Sequence, residues 1–265
     1  MGLLRQATRT RESLLPLFFL MGVNCAQMAL QQAHDPGPKE IGMTAQDTSA
    51  TPVAPVAPFP TGVGHFYPAT APGVPLSAFA FAFAVGMLGI LDTGMLPQAA
   101  DGMLIATLLG IGTIGLFIGG LWEYRAGELF GGTFGLGYAG FLFSTGIFYK
   151  FFYGPLYAQA GPNNTNHVLA AWFIMWAIFT GIFAIGARTI AFAAVMPFTL
   201  AFVVLLLTVI SEFGGTSSWA GDFLKAAGWA GILDSLAAGY LGAALVINTC
   251  YSKVLCPLWP AKPRG

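Results

Sequence analysis

Six long and almost uncharged stretches alternate with short charged gaps between residues 73 and 250. Each stretch has about the 20 residues that a helix needs to cross a bilayer. A helix of a water-soluble domain carries charge on its outer face, and these stretches have no such face. The pattern predicts an all-α polytopic membrane protein with six transmembrane helices. The predicted spans are residues 75–91, 103–122, 129–149, 168–187, 190–211 and 226–248.

The composition agrees with this class. Charged residues make up 8% of the chain and apolar residues 56%, whereas soluble proteins carry about 25% charge. Positive and negative charges balance, and no basic patch is present, so nucleic acid is not an expected partner. The three cysteines follow no metal-ligand spacing, and we expect them to be reduced.

Residues 1–70 differ from the rest of the chain. The stretch 35–75 is rich in Pro, Ala, Thr and Gly and cannot bury a core, so a disordered or extended tail is expected. The short apolar stretch from Leu14 to Leu30 follows three arginines. It is either an interfacial helix that lies on the membrane or a processed targeting segment.

The distribution of basic residues predicts the orientation of the transmembrane domain, residues 71–250. With the N-terminus in the cytoplasm, five Lys or Arg side chains lie inside and two lie outside, as the positive-inside rule requires. The short tail at residues 251–265 is then also cytoplasmic. The inside residues are Arg125, Arg188, Lys253, Lys262 and Arg264, and the outside residues are Lys150 and Lys225.

Groups that carry enzyme chemistry are missing from this sequence. It contains no nucleophile–base pair, metal-binding cluster, phosphate-binding loop or dinucleotide fingerprint, and its three histidines lie in the tail or at a helix end. We therefore expect no catalytic residue, metal or cofactor. A conduit for a small solute is a better interpretation than an enzyme.

Asp234 is the one ionisable residue within a predicted span. An ionised carboxylate at such a depth costs about 2.5–3.5 kcal/mol on insertion scales, so a lipid-facing position is not expected. Three interpretations remain open: a protonated acid bonded across helices, an acid facing a wet vestibule, or a group that couples protons to transport.

A charged hairpin joins the second and third predicted spans. Residues 119–131 end one helix with an acid, an aromatic residue and a base, turn at a glycine, and begin the next helix. On chemistry alone this is an ordinary hairpin at the cytoplasmic face, with aromatic side chains in the interfacial belt. Its motif residues are Glu123, Tyr124, Arg125, Gly127, Phe130 and Gly131.

The hairpin resembles a motif of the succinate–acetate permease family of acetate uptake transporters. Here it reads Gly-Gly-x-Trp-Glu-Tyr-Arg-x-Gly-x-x-Phe-Gly and is followed by Tyr138. The family reads approximately Ala-Gly-x-x-Glu-[Tyr/Phe]-[Lys/Arg]-x-Gly-Asn-Thr-Phe-Gly, then Ser-Tyr-Gly. The resemblance extends over residues 72–249 and includes the Pro-rich start of the first span and the Ala-Gly-Trp of the last.

The resemblance implies a six-helix protomer with its own solute path and a homo-oligomer, a hexamer in bacterial relatives. The expected solute is a small organic acid anion, acetate-like with succinate as a further candidate, carried by a channel or a proton-linked transporter. The path is expected to narrow between Phe81, Tyr138 and Phe198, with Leu200 as the alternative to Phe198. Membrane lipids are the other partner, and the plasma or cytoplasmic membrane is the expected location.

Several positions depart from the family pattern. The family Asn before the first span is Pro72, the Asn of the hairpin is Glu128, the Ser before the aligned Tyr is Gly137, and a Gln of the second span is Leu116. These changes remove groups that could coordinate a carboxylate. A larger or more apolar acid therefore stays open, as do a transport-deficient membrane sensor or interaction protein and a pore for ammonium or a small neutral solute.

Overall fold

The computed structural model describes residues 71–261, and the expected tail at residues 1–70 lies outside this part. The described part is helical. Its α-helices are α1 (Val74–Asp92), α2 (Asp101–Thr107), α3 (Thr113–Arg125), α4 (Leu129–Ile147), α5 (Tyr153–Ala160), α6 (Pro162–Ala187), α7 (Phe192–Gly214) and α8 (Ala220–Tyr251). Two π-helical segments, Leu108–Gly112 and Phe148–Phe152, connect α2 to α3 and α4 to α5.

Five helical segments of the described residues are long and apolar enough to cross a membrane: α1, α2 with α3, α6, α7 and α8. Helix α4 has 19 residues and corresponds to the third predicted span, residues 129–149. Its hydropathy is lower because glycine often stands where a larger apolar side chain would be. These glycines are Gly131, Gly132, Gly135, Gly137, Gly140 and Gly146. The predicted all-α membrane fold is confirmed.

The six long helices form a ring in the order α1, α3, α4, α6, α7, α8 and back to α1. Helix α8 packs extensively on α1 and α7, and α6 packs on α7. The backbones of α4 and α6 approach at few points, and aromatic side chains such as Phe141 and Trp176, with ring centroids 4.6 Å apart, fill the space between them. The ring therefore encloses a central axis lined by aromatic residues.

Small residues bring α1 and α8 into close contact. A Cβ atom at Gly89 would lie 2.7 Å from the carbonyl oxygen of Gly228, so neither helix tolerates a side chain there. About two turns further along both helices, the Ser235 hydroxyl donates a hydrogen bond to the carbonyl oxygen of Ala82 at 2.7 Å. These contacts fix the antiparallel register of α1 and α8.

Two helices are clearly longer than the apolar stretches that predicted them. Helix α6 begins at Pro162 instead of residue 168, and α8 extends over Ala220–Tyr251 instead of residues 226–248. Proline suits the first position of a helix, and polar residues at helix ends reach the head-group region. The predicted spans therefore mark the apolar centres of the helices and not their ends.

The chain after α8 packs against the bundle. The Asn248 carboxamide oxygen accepts hydrogen bonds from the backbone N–H groups of Leu255 (2.8 Å) and Cys256 (2.9 Å), and Leu258 is buried. Ala191 and Pro260 form an isolated β-bridge at the start of α7. Cys256 is a free thiol, as is Cys250.

Candidate functional site

A cleft enters the bundle at the end where α1 and α7 finish, which we call the Asp92 end; the opposite end is the Arg125 end. The cleft has an empty volume of about 680 Å³, counted to its open mouth. Its lining is mostly apolar. The residues that line it are Phe81, Ala84, Val85, Leu88, Asp92, Leu108, Tyr138, Phe141, Leu142, Tyr149, Phe173, Ala201, Val204, Leu205, Thr208, Glu212 and Leu224.

The floor of the cleft is formed by Phe81 of α1 and Tyr138 of α4. Their rings meet edge to face, with centroids 5.1 Å apart, and the side chains are 6% and 1% exposed. Phe81 lies eleven residues before Asp92, so the floor is about 16 Å below the mouth at 1.5 Å per residue. The structure thus brings together two of the residues predicted for the constriction.

Tyr138 is held by a chain of hydroxyl groups. The Thr180 hydroxyl donates its hydrogen to the carbonyl oxygen of Trp176 at 2.7 Å. The Tyr138 hydroxyl bonds to the same Thr180 oxygen, which has no second hydrogen to give, so Tyr138 is the donor. The tyrosine oxygen therefore keeps a lone pair that can accept a hydrogen bond without a loss of the Thr180 contact.

Phe198, the third predicted constriction residue, lies beyond the floor. Its ring contacts Phe134 at 5.0 Å, and Phe134 in turn contacts Tyr138 at 5.3 Å and Phe81 at 6.0 Å. Phe198 is therefore one ring removed from the floor and does not line the cleft. The alternative residue, Leu200, is half-buried on α7 and does not line the cleft either.

Two carboxyl groups lie at the mouth, Asp92 of α1 and Glu212 of α7, together with the hydroxyl residues Tyr149 and Thr208. The described residues that line the cleft include no Lys, Arg or His. No group of three His, Cys, Asp or Glu residues in the described part could hold a metal ion. The described lining of the cleft therefore offers no basic side chain that could pair with a carboxylate.

Asp234 lies in the interior of the bundle and is 0% exposed. It belongs to the buried stripe of α8 that also contains Gly231 and Ala238. Neither carboxyl oxygen has a hydrogen-bond partner among the described residues. Asp234 does not line the cleft.

The hairpin motif has a structural role at the Arg125 end. Glu123 is 3% exposed, and its carboxylate accepts hydrogen bonds from the backbone N–H groups of Gly73 and Val74, the latter at 3.1 Å. These groups begin α1 and have no partner within the helix. Gly131 leaves room for this carboxylate, since a Cβ there would lie 2.8 Å from Glu123 Oε2. Glu123 therefore ties the start of α1 to the hairpin.

The rest of the motif shapes the turn. Gly127 has a φ of 83°, which favours glycine, and Arg125 lies over the ring of Trp122 at 5.9 Å. The Tyr124 hydroxyl bonds to the Thr133 hydroxyl at 2.6 Å. Phe130 belongs instead to the aromatic interior, with its ring 4.9 Å from that of Phe183.

Sequence analysis missed Phe134 and the carboxyl pair at the mouth. Phe134 lies four residues before Tyr138, so the two share one helix face, and this spacing was a usable signal. Asp92 and Glu212 were interpreted as charges in the gaps between spans. Only the ring arrangement of the helices brings them to one cleft.

The model of the GPR1/FUN34/yaaH family matches residues 63–261. "Accumulation of dyads protein 2" of Saccharomyces cerevisiae is 27% identical over 70% of this chain, and the matched region spans 65% of that protein. "Acetate permease A" of Emericella nidulans is 28% identical over 72% of this chain and 67% of its own length.

The structure is similar to that of "the bacterial acetate channel SatP", with a TM-score of 0.63 and 24% identity over 72% of this chain and 99% of that one. This likeness supports the helical fold. Two of these relatives are named as a permease and a channel, which are proteins that move solutes. The chain is an integral membrane protein that belongs to the GPR1/FUN34/yaaH family, as the resemblance of its hairpin motif implied.

Proposed function

We propose that this protein is a membrane channel or transporter for small monocarboxylic acids such as acetate, with succinate as a further candidate. The observation that carries the proposal is the cleft that ends on the Phe81–Tyr138 floor. An apolar cleft with one hydroxyl group at its base suits a molecule with a short hydrocarbon part and one carboxyl group. The names of the acetate permease and acetate channel relatives support the same solute class.

The acid enters in its neutral, protonated form. Tyr138 donates its own hydrogen to Thr180 and offers a lone pair to the cleft, so it accepts the O–H of an acid and not the oxygen of a carboxylate. At the mouth, the described lining holds the carboxyl groups of Asp92 and Glu212 and no basic side chain that would pair with a carboxylate. Entry of the neutral acid followed by release of its proton on the other side makes uptake proton-linked and electrically neutral.

Asp234 is the candidate group for proton coupling. Its carboxyl is fully buried and has no hydrogen-bond partner among the described residues. A neutral carboxyl avoids the large cost of a buried, unpaired charge.

The proposal includes an orientation, from the distribution of basic residues, and an assembly, from the family resemblance. The positive-inside rule places the Arg125 end in the cytoplasm, so the cleft faces the outside of a plasma or cytoplasmic membrane. The outward face of α6 is apolar and exposed, with Ile178, Ile182 and Ile185 more than 60% exposed, and suits lipid or a neighbouring protomer. By resemblance to the family the assembly is a homo-hexamer in which each protomer has its own path.

Uptake of labelled acetate into proteoliposomes tests the proposal. Wild-type protein should give a flux above that of empty vesicles, and unlabelled short monocarboxylic acids should compete. Vesicles with the protein that take up no more acetate than empty ones would contradict the transport function and favour the sensor interpretation. The buried Leu116, which stands where the family has a Gln, is a departure that agrees with that interpretation.

A pore for ammonium is the second candidate, and the carboxyl pair at the mouth favours it. The same vesicles distinguish the two. An ammonium pore conducts a cation, so its flux resists carboxylate competitors and changes with membrane potential. The acid pathway shows the opposite behaviour in both respects.

A further inference from the structure

We propose that the path is closed by a second barrier, separate from the floor, which consists of the four phenylalanine rings of Phe130, Phe134, Phe183 and Phe198. We call this set the inner plug. The inference rests on the proposed route through the cleft and adds a gate, which includes Phe198 of the predicted constriction, on the cytoplasmic side of the Phe81–Tyr138 floor. Phe134 is the residue that joins the inner plug to the floor.

The four rings pack directly on one another across three helices. Phe198 of α7 lies 5.4 Å from Phe130, 5.0 Å from Phe134 and 5.6 Å from Phe183, measured between ring centroids. Phe183 of α6 lies 4.9 Å from Phe130 and 6.4 Å from Phe134. Aromatic rings at these separations attract each other in edge-to-face or tilted arrangements, so the set forms one continuous layer.

The inner plug lies deeper than the floor along α4. Phe130 and Phe134 precede Tyr138 by eight and four residues, which corresponds to about 12 Å and 6 Å along the helix. None of the four rings lines the cleft, whose lining on α4 begins at Tyr138. A movement of Phe81 or Tyr138 alone would therefore open the floor and leave the inner plug closed.

The chemistry of the inner plug differs from that of the floor. The floor carries one hydroxyl group, whereas the side chains of the inner plug carry only carbon and hydrogen. An ion that enters this layer loses its hydration and finds no polar partner. A short acid in its neutral form loses much less hydration free energy. The inner plug therefore selects for the uncharged form of the acid and for small solutes.

Cysteine labelling tests the barrier without any measurement of transport. In a variant with Cys25, Cys250 and Cys256 changed to Ser, two positions on α7 are compared. Ala201→Cys lines the cleft, and Ala194→Cys lies one turn beyond Phe198, buried on the Arg125 side. A small, membrane-impermeant methanethiosulfonate is added to the outside of intact cells. Ala201→Cys should react and Ala194→Cys should be protected.

Phe134→Ala should then expose Ala194→Cys to the outside reagent, with a rise in labelling rate of about tenfold, equivalent to about 1.4 kcal/mol of barrier. The matched control is Phe143→Ala on the same helix, which removes a ring that is 51% exposed at the outer surface and should change nothing. If Phe134→Ala does not fold, Phe134→Leu keeps most of the packing volume and should give a smaller rise in the same direction.

Equal labelling of Ala194→Cys and Ala201→Cys in the background with Phe134 intact would overturn the inner plug, and so would an unchanged rate in both Phe134 variants. These outcomes are distinct from a failure of the proposed function. A protein that transports no acid but shows the expected labelling pattern would support the inner plug and contradict the transport function. Acid flux without protection of Ala194→Cys would support the transport function and contradict the inner plug.

Discussion

Glu123 gives the sharpest stability prediction because its bonds are few and well defined. The carboxylate accepts hydrogen bonds from the backbone N–H groups of Gly73 and Val74 and is almost completely buried. Glu123→Ala removes the acceptor and leaves both groups at the start of α1 without their partner. Glu123→Gln keeps an acceptor oxygen of similar position and removes only the charge.

Hydrogen bonds to a charged group contribute about 1.5–3 kcal/mol each, so two such bonds amount to roughly 3–6 kcal/mol. Neutral bonds contribute about 0.5–1.5 kcal/mol each, so Gln retains roughly 1–3 kcal/mol of this stabilisation. For domains of this size, each kcal/mol shifts the unfolding temperature by about 2–4 °C, so Glu123→Ala should lower it by roughly 10 °C or more. Gln should lower it by about half as much.

Thermal unfolding of the purified, detergent-solubilised protein measures the effect. Glu128→Gln is the matched control, since it removes a carboxylate charge from the same hairpin and leaves Glu123 in place; its unfolding temperature should stay near that of the wild type. Two results would contradict this prediction: Glu123→Ala unfolds at the wild-type temperature, or Glu123→Ala and Glu123→Gln lower the unfolding temperature equally. The first result would mean that α1 does not depend on this carboxylate, and the second that charge alone matters.

Three further predictions concern transport and folding. Tyr138→Phe removes the lone pair offered to the acid and should slow acetate uptake by roughly 2–10-fold, the effect of about 0.5–1.5 kcal/mol, at unchanged expression. Asp234→Asn keeps the size of the side chain but cannot ionise, so it should flatten the pH dependence of uptake in a folded protein; an unchanged pH dependence would mean that Asp234 serves only in packing. Deletion of residues 1–68 should leave the unfolding temperature of the helical core unchanged, and loss of the core would show that the tail is structural.

The helices were predictable because lipid imposes a simple condition on the sequence. A span must satisfy its backbone groups internally and expose apolar side chains, so α1, α6 and α7 are visible as apolar runs. The third span, α4, was also predicted despite its many glycines, because no charge interrupts residues 129–149. The predicted helix ends were less accurate, because α6 and α8 continue beyond the apolar runs into polar sequence.

The site was predictable only in part, because it depends on which faces of distant helices meet. Phe81 and Tyr138 do meet at the floor of the cleft. Phe198 was expected at the same level, but the ring of Phe134 lies between it and the floor. In a chain with 23 phenylalanines, residue type alone does not say which rings face the axis.

Charged residues at helix ends were the hardest to interpret. Asp92 and Glu212 are separated by 119 intervening residues and look like ordinary charges between spans. The ring order of the helices places both at one mouth. Glu123 was recognised as part of a motif, but its bond to the start of α1 follows only from the packing of α3 against α1.

The size selectivity of uptake tests the central claim that the acid passes the Phe81–Tyr138 floor. The measurement is the ratio of butyrate to acetate uptake in proteoliposomes that contain the wild type, Phe81→Ala or Phe83→Ala. Phe83 lies on the same helix but is 56% exposed on the outer surface, so its variant is the control. Our account predicts a higher ratio for Phe81→Ala and the wild-type ratio for Phe83→Ala. Acetate uptake with the same ratio in all three proteins would contradict it, because the solute would then cross the protein by another route.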